Sequence, residues 1–513
     1  MGSLTDVVQS IWTATSASTS YPRLEGTVKV DVAVVGAGIT GITTALFLAR
    51  DGAAVALLEA DRVASSTTGN TTAKLTSLHG LTYTSIAGEQ GEEPAQLYGR
   101  ANEAAIAQVA ELSQAHGIAC DFERMPAFTY TEEPDQIAQI EAEVTVAQRL
   151  GLPATFVTET DLPFPVAAAV RFDNQAMFHP RKYCLGLAEV LAKQGVRIFE
   201  RTAVTGIEEG KPSVLTAAAG TVVADHVVQA TQLPFHDPFG FFTSNFPNQS
   251  YGLAFATSEG VPEGMYLSAS PPTRSIRPYR DGRQSYLIIG GEGHKMARDA
   301  DTNQRYETLV RWAQERFGTG KPAFAWSAHD YLPVDGIPYV GRLTPDTDRL
   351  WVATGFKKWG LTNGTAAAMI LADSIAGREN PWARTFDSLR LKPKPVEKWL
   401  KRQAELKKSH AEGSIETVTA QLELVLGPRE GRVIDTTQKQ KVAAYRDEDG
   451  RLHTHSAVCS HMGCQVAFNP AEKTWDCPCH GSRFDITGTP IHGPATHSLK
   501  PVRLDPEAAA SAT

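Results

Sequence analysis

The stretch Cys459–Phe484, CSHMGCQVAFNPAEKTWDCPCHGSRF, constrains the chain most, because it concentrates soft metal ligands at fixed spacing. Four of the six cysteines lie inside it, with two histidines in set relation to them. Cys459-x-His461 and Cys477-x-x-His480 offer two thiolates and two imidazoles. Two thiolates can hold one iron of a [2Fe–2S] pair while two imidazoles replace thiolates on the other. A Cys₂His₂ zinc site would use the same ligand types. Against zinc stand a spacing unlike that of a finger and one spare cysteine beside each pair, Cys464 and Cys479.

A second constraint lies near the other end. An apolar strand, Val28–Val35, runs straight into GAGITG, whose Gly36, Gly38 and Gly41 fit G-x-G-x-x-G. A helix over Ile39–Arg50 and a second strand, Val55–Leu58, follow, ending on the acid Glu59. In this setting Gly36 makes a tight turn, Gly38 lets backbone approach a pyrophosphate, and Gly41 lets helix pack on strand. The helix N-terminus supplies amides and positive dipole to the phosphates, and Glu59 accepts from ribose hydroxyls.

With 513 residues the chain exceeds one core, so about three domains are expected. A net charge of −8 gives no support to nucleic-acid binding or to an anionic membrane surface. The longest apolar runs are far too short to span a bilayer, and no basic-then-apolar leader opens the chain. Only Cys120 and Cys184 lie outside the metal stretch, a cysteine usage that points to the cytoplasm.

The metal stretch resembles the cluster-binding motif of Rieske proteins of cytochrome bc type. The resemblance implies that Cys459 and Cys477 ligate one iron and His461 and His480 the other, with Cys464 and Cys479 in a disulfide. It also implies that Ser482 bonds a cluster sulfur and that Gly493-Pro494-Ala495 covers the cluster. Phe484 stands where the family has a tyrosine; one fewer hydrogen bond to sulfur implies a lower potential.

Residues 62–74, RVASSTTGNTTAK, form a Ser/Thr/Gly-rich loop after the ribose acid. With AVTGI at 203–207, HVVQAT at 226–231, DGIPYVG at 335–341 and WVATGFKKWGLTNG at 351–364, the chain resembles the FAD-dependent D-amino-acid, glycine and sarcosine oxidases. That resemblance implies FAD held by Gly36, Gly38, Gly41, Glu59, Ala60, Thr68, Thr71, Thr72 and Lys74 in the first half. Val204, Thr231, Gly355, Gly360, Leu361 and Thr362 complete the set, with a helix from about Leu361 aimed at the flavin C2 carbonyl. Pocket candidates are His79, Arg277, Tyr279, Lys357 and Trp359, Arg277 being able to take a carboxylate bidentately. No catalytic residue is singled out.

The expected architecture is α/β plus β. A Rossmann-type, glutathione-reductase-like FAD-binding domain carries an inserted α+β substrate domain and is followed by a small all-β Rieske domain. An arm lying on the surface, 1–28, precedes an oxidoreductase unit, 29–386. Its FAD-binding segments are about 29–90, 165–233 and 325–386, and its substrate segments about 91–164 and 234–324, the latter as antiparallel sheet. Then come a linker helix, 387–414, the Rieske domain, 415–506, and a tail, 507–513.

Flavin takes electrons in pairs and a Rieske centre carries them singly, so a dehydrogenase with an external one-electron acceptor is expected rather than an oxidase. The absence of a second dinucleotide fingerprint points to the substrate rather than a nicotinamide as the electron source, and the oxidase resemblance implies that this substrate is a small amine or amino acid, or a related CH–OH compound. Two alternatives are an electron-transfer or redox-sensing protein without its own organic product, and a biosynthetic tailoring oxidase for a large substrate.

Overall fold

A computed structural model describes residues 8–258, 260–282, 284–297, 301–390, 426–435 and 441–502. The proposed linker helix beyond residue 390, the first residues of the expected Rieske domain (415–425), the tail and the start of the arm lie outside the described residues.

Strand Gly26–Val35 sits in the middle of an eight-stranded sheet, parallel to Val55–Leu58 on one side and Gly220–Gln229 on the other. Arg197–Phe199 and Leu350–Thr354 extend the parallel run, and Tyr339–Arg342 ends it antiparallel. All four residues of Val55–Leu58 are buried, as expected of a parallel strand covered on both faces. Helix Ile39–Arg50 covers the sheet and packs against Gly360–Ile375 and Pro180–Lys193. The last begins with Pro180 in its first turn while the His179 side chain accepts from the Lys182 amide, which fixes where the helix starts.

A second, nine-stranded sheet runs in the order Phe324–Pro333, Asn245–Thr257, Gln284–Lys295, Arg274–Asp281, Met265–Ser268, Glu123–Thr131, Ala168–Met177, Lys74–Leu75, with Ala154–Val157 paired on Ala168–Met177. Three of these strands, Lys74–Leu75, Ala168–Met177 and Phe324–Pro333, fall in segments that the sequence assigns to FAD binding. Alternation shows that a strand has one buried face, but pairing register decides which sheet claims it. The sheet is also mixed and not purely antiparallel, because Met265–Ser268 runs parallel to Glu123–Thr131. Helices Glu92–Ala115 and Ile137–Arg149 each bury one apolar stripe, Tyr98, Ile106 and Val109 in the first and Ile140, Val144 and Ala147 in the second.

The described part of the N-terminal arm runs largely exposed, but one turn of it is buried. Helix Ile11–Ala14 buries Ile11 and Trp12 completely, and the Trp12 indole N–H donates to the Thr71 carbonyl at 2.6 Å. Ser10 donates to the Gly69 carbonyl at 2.5 Å. The arm thus props the Ser/Thr-rich loop from behind, which a polar composition hides. Trp12→Ala is expected to cost about 3–5 kcal/mol, the usual penalty for emptying a buried Trp site, read as a lower denaturation midpoint.

Beyond residue 425 a three-stranded sheet, Gly431–Asp435, Lys441–Arg446 and Leu452–Ser456, precedes a four-stranded one. The latter comprises Ala467–Asn469, Thr474–Asp476, Arg483–Phe484 and Pro490–His492. This unit docks on the second sheet through polar pairs. Gln249 donates to Glu472 at 3.0 Å, and Thr302 to Asn469 at 2.7 Å.

Candidate active site

Where the two large sheets meet, a cavity of about 730 Å³ opens along the first two glycines of the fingerprint. Gly36, at φ 103°, is pressed against the next strand: a Cβ there would meet the Ala230 carbonyl oxygen at 2.5 Å. A Cβ on Gly38 would meet Thr68 Oγ1 at 3.1 Å, so both positions keep backbone open to a ligand. Gly38 itself brings no capping side chain to helix Ile39–Arg50, and Thr68 Oγ1 accepts the Ile39 amide at 3.2 Å, so the positive end of the helix lies at the cavity wall. Glu59 accepts the Ala37 amide at 2.7 Å and the Asp61 amide at 3.0 Å, and these bonds hold its carboxyl at the cavity wall.

Of the other expected FAD contacts, Ala60, Thr68, Thr71, Thr72 and Lys74 line this cavity from the loop. Val204 and Thr231 line it from the returning strands, and Gly360 and Leu361 from the closing helix. Three positions do not. Gly41 is a packing glycine, since any Cβ would run into the Gly36 carbonyl. Gly355, at φ 78°, is turned against Asn245 and Pro333. Thr362 points backwards, bonding the Thr76 carbonyl at 3.2 Å and the His79 ring at 3.1 Å.

The pocket candidates divide in the same way. Lys357 and Trp359 line the cavity; His79, Arg277 and Tyr279 do not. His79 stacks behind Trp359 at 4.5 Å, with Nε2 donating to the Thr76 carbonyl and Nδ1 accepting from Tyr98 at 2.6 Å. Burial pushes its imidazole down to about 3, so it is neutral. The Arg277 guanidinium is fully buried and spends its donors on the carbonyls of Thr72, Ala73 and Pro278, with Trp12 against its face. It staples the Ser/Thr-rich loop and leaves no fork for a carboxylate; burial lowers it to about 9. Tyr279 packs on Trp12 and donates to Asp121 at 3.1 Å. Residue type suggested these three, but their direction is set by the loop backbone that they support.

Sequence reasoning missed other residues of the wall. His329, Asp330 and Lys358 line the cavity, and so do Arg483 and residues 490–496 of the C-terminal unit. Asp330 accepts the Tyr331 amide at 2.8 Å and the Lys358 amide, while burial pushes its carboxyl up to about 6. His492 meets Ser66 at 3.2 Å and the His329 ring at 3.8 Å between centroids. The only sequence signal was a cluster of ring and acid side chains, His329-Asp330-Tyr331, just before DGIPYVG.

In the C-terminal unit Cys464 and Cys479 form a disulfide. Cys459 and Cys477 are free thiols, 2% and 1% exposed, and Cys477 donates toward Cys459 and lowers its pKa. The rings of His461 and His480 stand 5.0 Å apart, and Nδ1 of His461 is buried without a hydrogen-bond partner among the described residues. Two free thiols beside two imidazoles, one with an orphaned nitrogen, are a donor set suited to a His-ligated iron–sulfur centre. The sulfurs of Cys464, Cys477 and Cys479 also lie within 4.8 Å of one another, but two of them are committed to the disulfide. Ser482 accepts the Ala495 amide at 3.0 Å, which ties the Pro494 loop down over the thiols.

The family model for FAD dependent oxidoreductases matches residues 31–374, and that for the Rieske [2Fe-2S] domain matches residues 418–503. The chain belongs to the FAD-dependent oxidoreductase family and carries a C-terminal Rieske domain, so its cofactors are FAD and a [2Fe–2S] cluster. It is 34% identical over 500 residues, 97% of this chain and 98% of the relative, to YhfW of Bacillus subtilis (strain 168), which carries the name of a Rieske 2Fe-2S iron-sulfur protein. Gamma-glutamylputrescine oxidoreductase of Escherichia coli (strain K12) is 25% identical over 372 residues, covering 70% of this chain and 86% of that one. Among solved structures, glycine oxidase from Geobacillus kaustophilus superposes with a TM-score of 0.61 at 19% identity, covering 71% of this chain and 100% of that one. No helix among the described residues is long and apolar enough to cross a membrane.

Proposed function

We propose that the protein is a dehydrogenase that oxidises the C–N bond of a small amine or amino acid and delivers the electrons to an external one-electron acceptor. When bound, FAD supplies two-electron acceptance and the cluster a one-electron exit. The observation that carries this reading is the shared wall: the cavity lined by the dinucleotide fingerprint is also lined by Arg483 and residues 490–496, beside the cluster ligands. The amine is favoured by two likenesses, to an enzyme named for gamma-glutamylputrescine and to the fold of a glycine oxidase. A cavity of about 730 Å³ falls within the ~300–1,000 Å³ range of single-ligand pockets. A dinucleotide would fill most of it, which favours a small substrate over a large one.

Each group of residues has a separate task. The glycines at 36 and 38 and the threonines of the loop hold phosphates, and Glu59 holds the ribose. The helix starting at Gly360 has no side-chain cap, so its amides and dipole face an anionic ring system. Trp359, backed by neutral His79, forms a flat apolar wall. Cys459, Cys477, His461 and His480 hold the cluster. Asp330 is the group placed to accept the proton of a substrate ammonium.

The pH consequence follows from the direction of the Asp330 shift. Its folded pKa, about 6, is raised above the unfolded 3.8. The stabilising contribution therefore belongs to the protonated form: it is full below about pH 4 and is lost as pH rises through about 6. As a base Asp330 works only when ionised, so flavin bleaching should accelerate through pH 6. Asp330→Asn should lack that limb and react about 10²-fold more slowly, measured by anaerobic stopped-flow absorbance.

The function itself is tested by anaerobic titration of the holoprotein with amines and amino acids, followed by optical and EPR spectra. Bleaching of the flavin with growth of the reduced-cluster signal is expected. If no amine bleaches the flavin, or if bleaching leaves the cluster oxidised, the reading fails.

A further inference from the structure

Tyr331 is 1% exposed and takes no part in lining the cavity, yet it touches both sites. Its carbonyl accepts the Lys357 amide at 3.0 Å, within the turn that presents Lys357, Lys358 and Trp359 to the cavity. Its amide is held by Asp330 at 2.8 Å, and its hydroxyl donates to the carbonyl of His480 at 2.8 Å, across the domain junction. The next residue, Gly481, has φ 78°, and a Cβ there would lie 2.7 Å from the Tyr331 hydroxyl and 2.9 Å from Pro247 Cβ. The loop is therefore pressed onto this phenol so closely that no side chain fits between. Phe242 covers the same place, its ring 4.9 Å from that of His480.

We propose that Tyr331 is a positioning residue that clamps the His480–Gly481 loop to the wall of the flavin cavity, so that this loop of the cluster site keeps a fixed distance from it. The backbone of Tyr331 belongs to the strand and the Lys357 turn, and its side chain to the C-terminal unit. Movement of the loop away from the cavity would break the buried hydrogen bond between the Tyr331 hydroxyl and the His480 carbonyl. The inference rests on the cofactor assignments made above, but not on the identity of the substrate.

The test uses the full-length holoprotein with Tyr331→Phe, which keeps the ring and removes the hydroxyl. Amide hydrogen exchange followed by mass spectrometry should rise about tenfold in peptides spanning 477–484, while peptides covering 36–50 and 360–375 stay unchanged. In stopped flow the flavin should be bleached at the wild-type rate and the cluster reduced more slowly. Unchanged exchange at 477–484 would overturn the proposal, as would loosening of equal size in both domains. If the Phe variant does not fold, Gly481→Ala keeps Tyr331 and wedges the loop away from it. The same local rise in exchange is then expected, and its absence overturns the proposal. Exchange needs no substrate, so a failed amine titration would count against the proposed function and leave this result standing.

Discussion

Cys477→Ser is expected to leave a yellow protein with no iron–sulfur signal. Cys477 is 1% exposed and sits directly against Cys459, so a serine offers a harder, less readily ionised oxygen where a soft ligand is needed. The loss should exceed the ~10–100-fold cost of changing a residue that merely supports a ligand. Metal analysis should fall toward zero iron per chain, and the reduced-state EPR signal should vanish. FAD absorbance should persist, because the fingerprint and its loop lie on the other side of the junction. Flavin bleaching by substrate should survive and turnover with an external acceptor should stop. Retained turnover would mean that electrons leave by another route.

Gly41→Ala is expected to produce the opposite phenotype, an iron-containing protein without flavin. Gly41 lies in the first turn of helix Ile39–Arg50, and an added Cβ would run into the Gly36 carbonyl and approach Val34. Backbone on one side and a central strand on the other cannot give way as a flexible side chain would. The cost should therefore surpass the ~1–3 kcal/mol of ordinary overpacking. The helix would be driven off the strand, and with it the amides that meet the phosphates. The ratio of flavin to protein absorbance checks the first effect, and the melting temperature of the flavin half checks the second.

The parts of this molecule legible in the sequence are those where chemistry demands particular residue types. A phosphate turn needs glycines at fixed steps, and Gly36, Gly38 and Glu59 are found around one cavity. An iron–sulfur loop needs thiols and imidazoles, and the pairing of Cys464 with Cys479 leaves Cys459 and Cys477 free. Direction was not legible. Arg277 and His79 have the right chemistry for a pocket, but they turn toward the loop carbonyls and Thr76 that need donors. Nor could a polar N-terminus announce that Ile11 and Trp12 would be buried, with the indole behind Thr71. The contribution of Arg483 and His492 to the flavin cavity was not legible either, because contacts across a junction leave no periodic trace along either segment.

That cavity has walls drawn from Val35 at one end of the chain to Thr496 at the other. Synthesis of the polypeptide must be almost finished before the chamber can close, since its last panel is also part of the iron–sulfur fold.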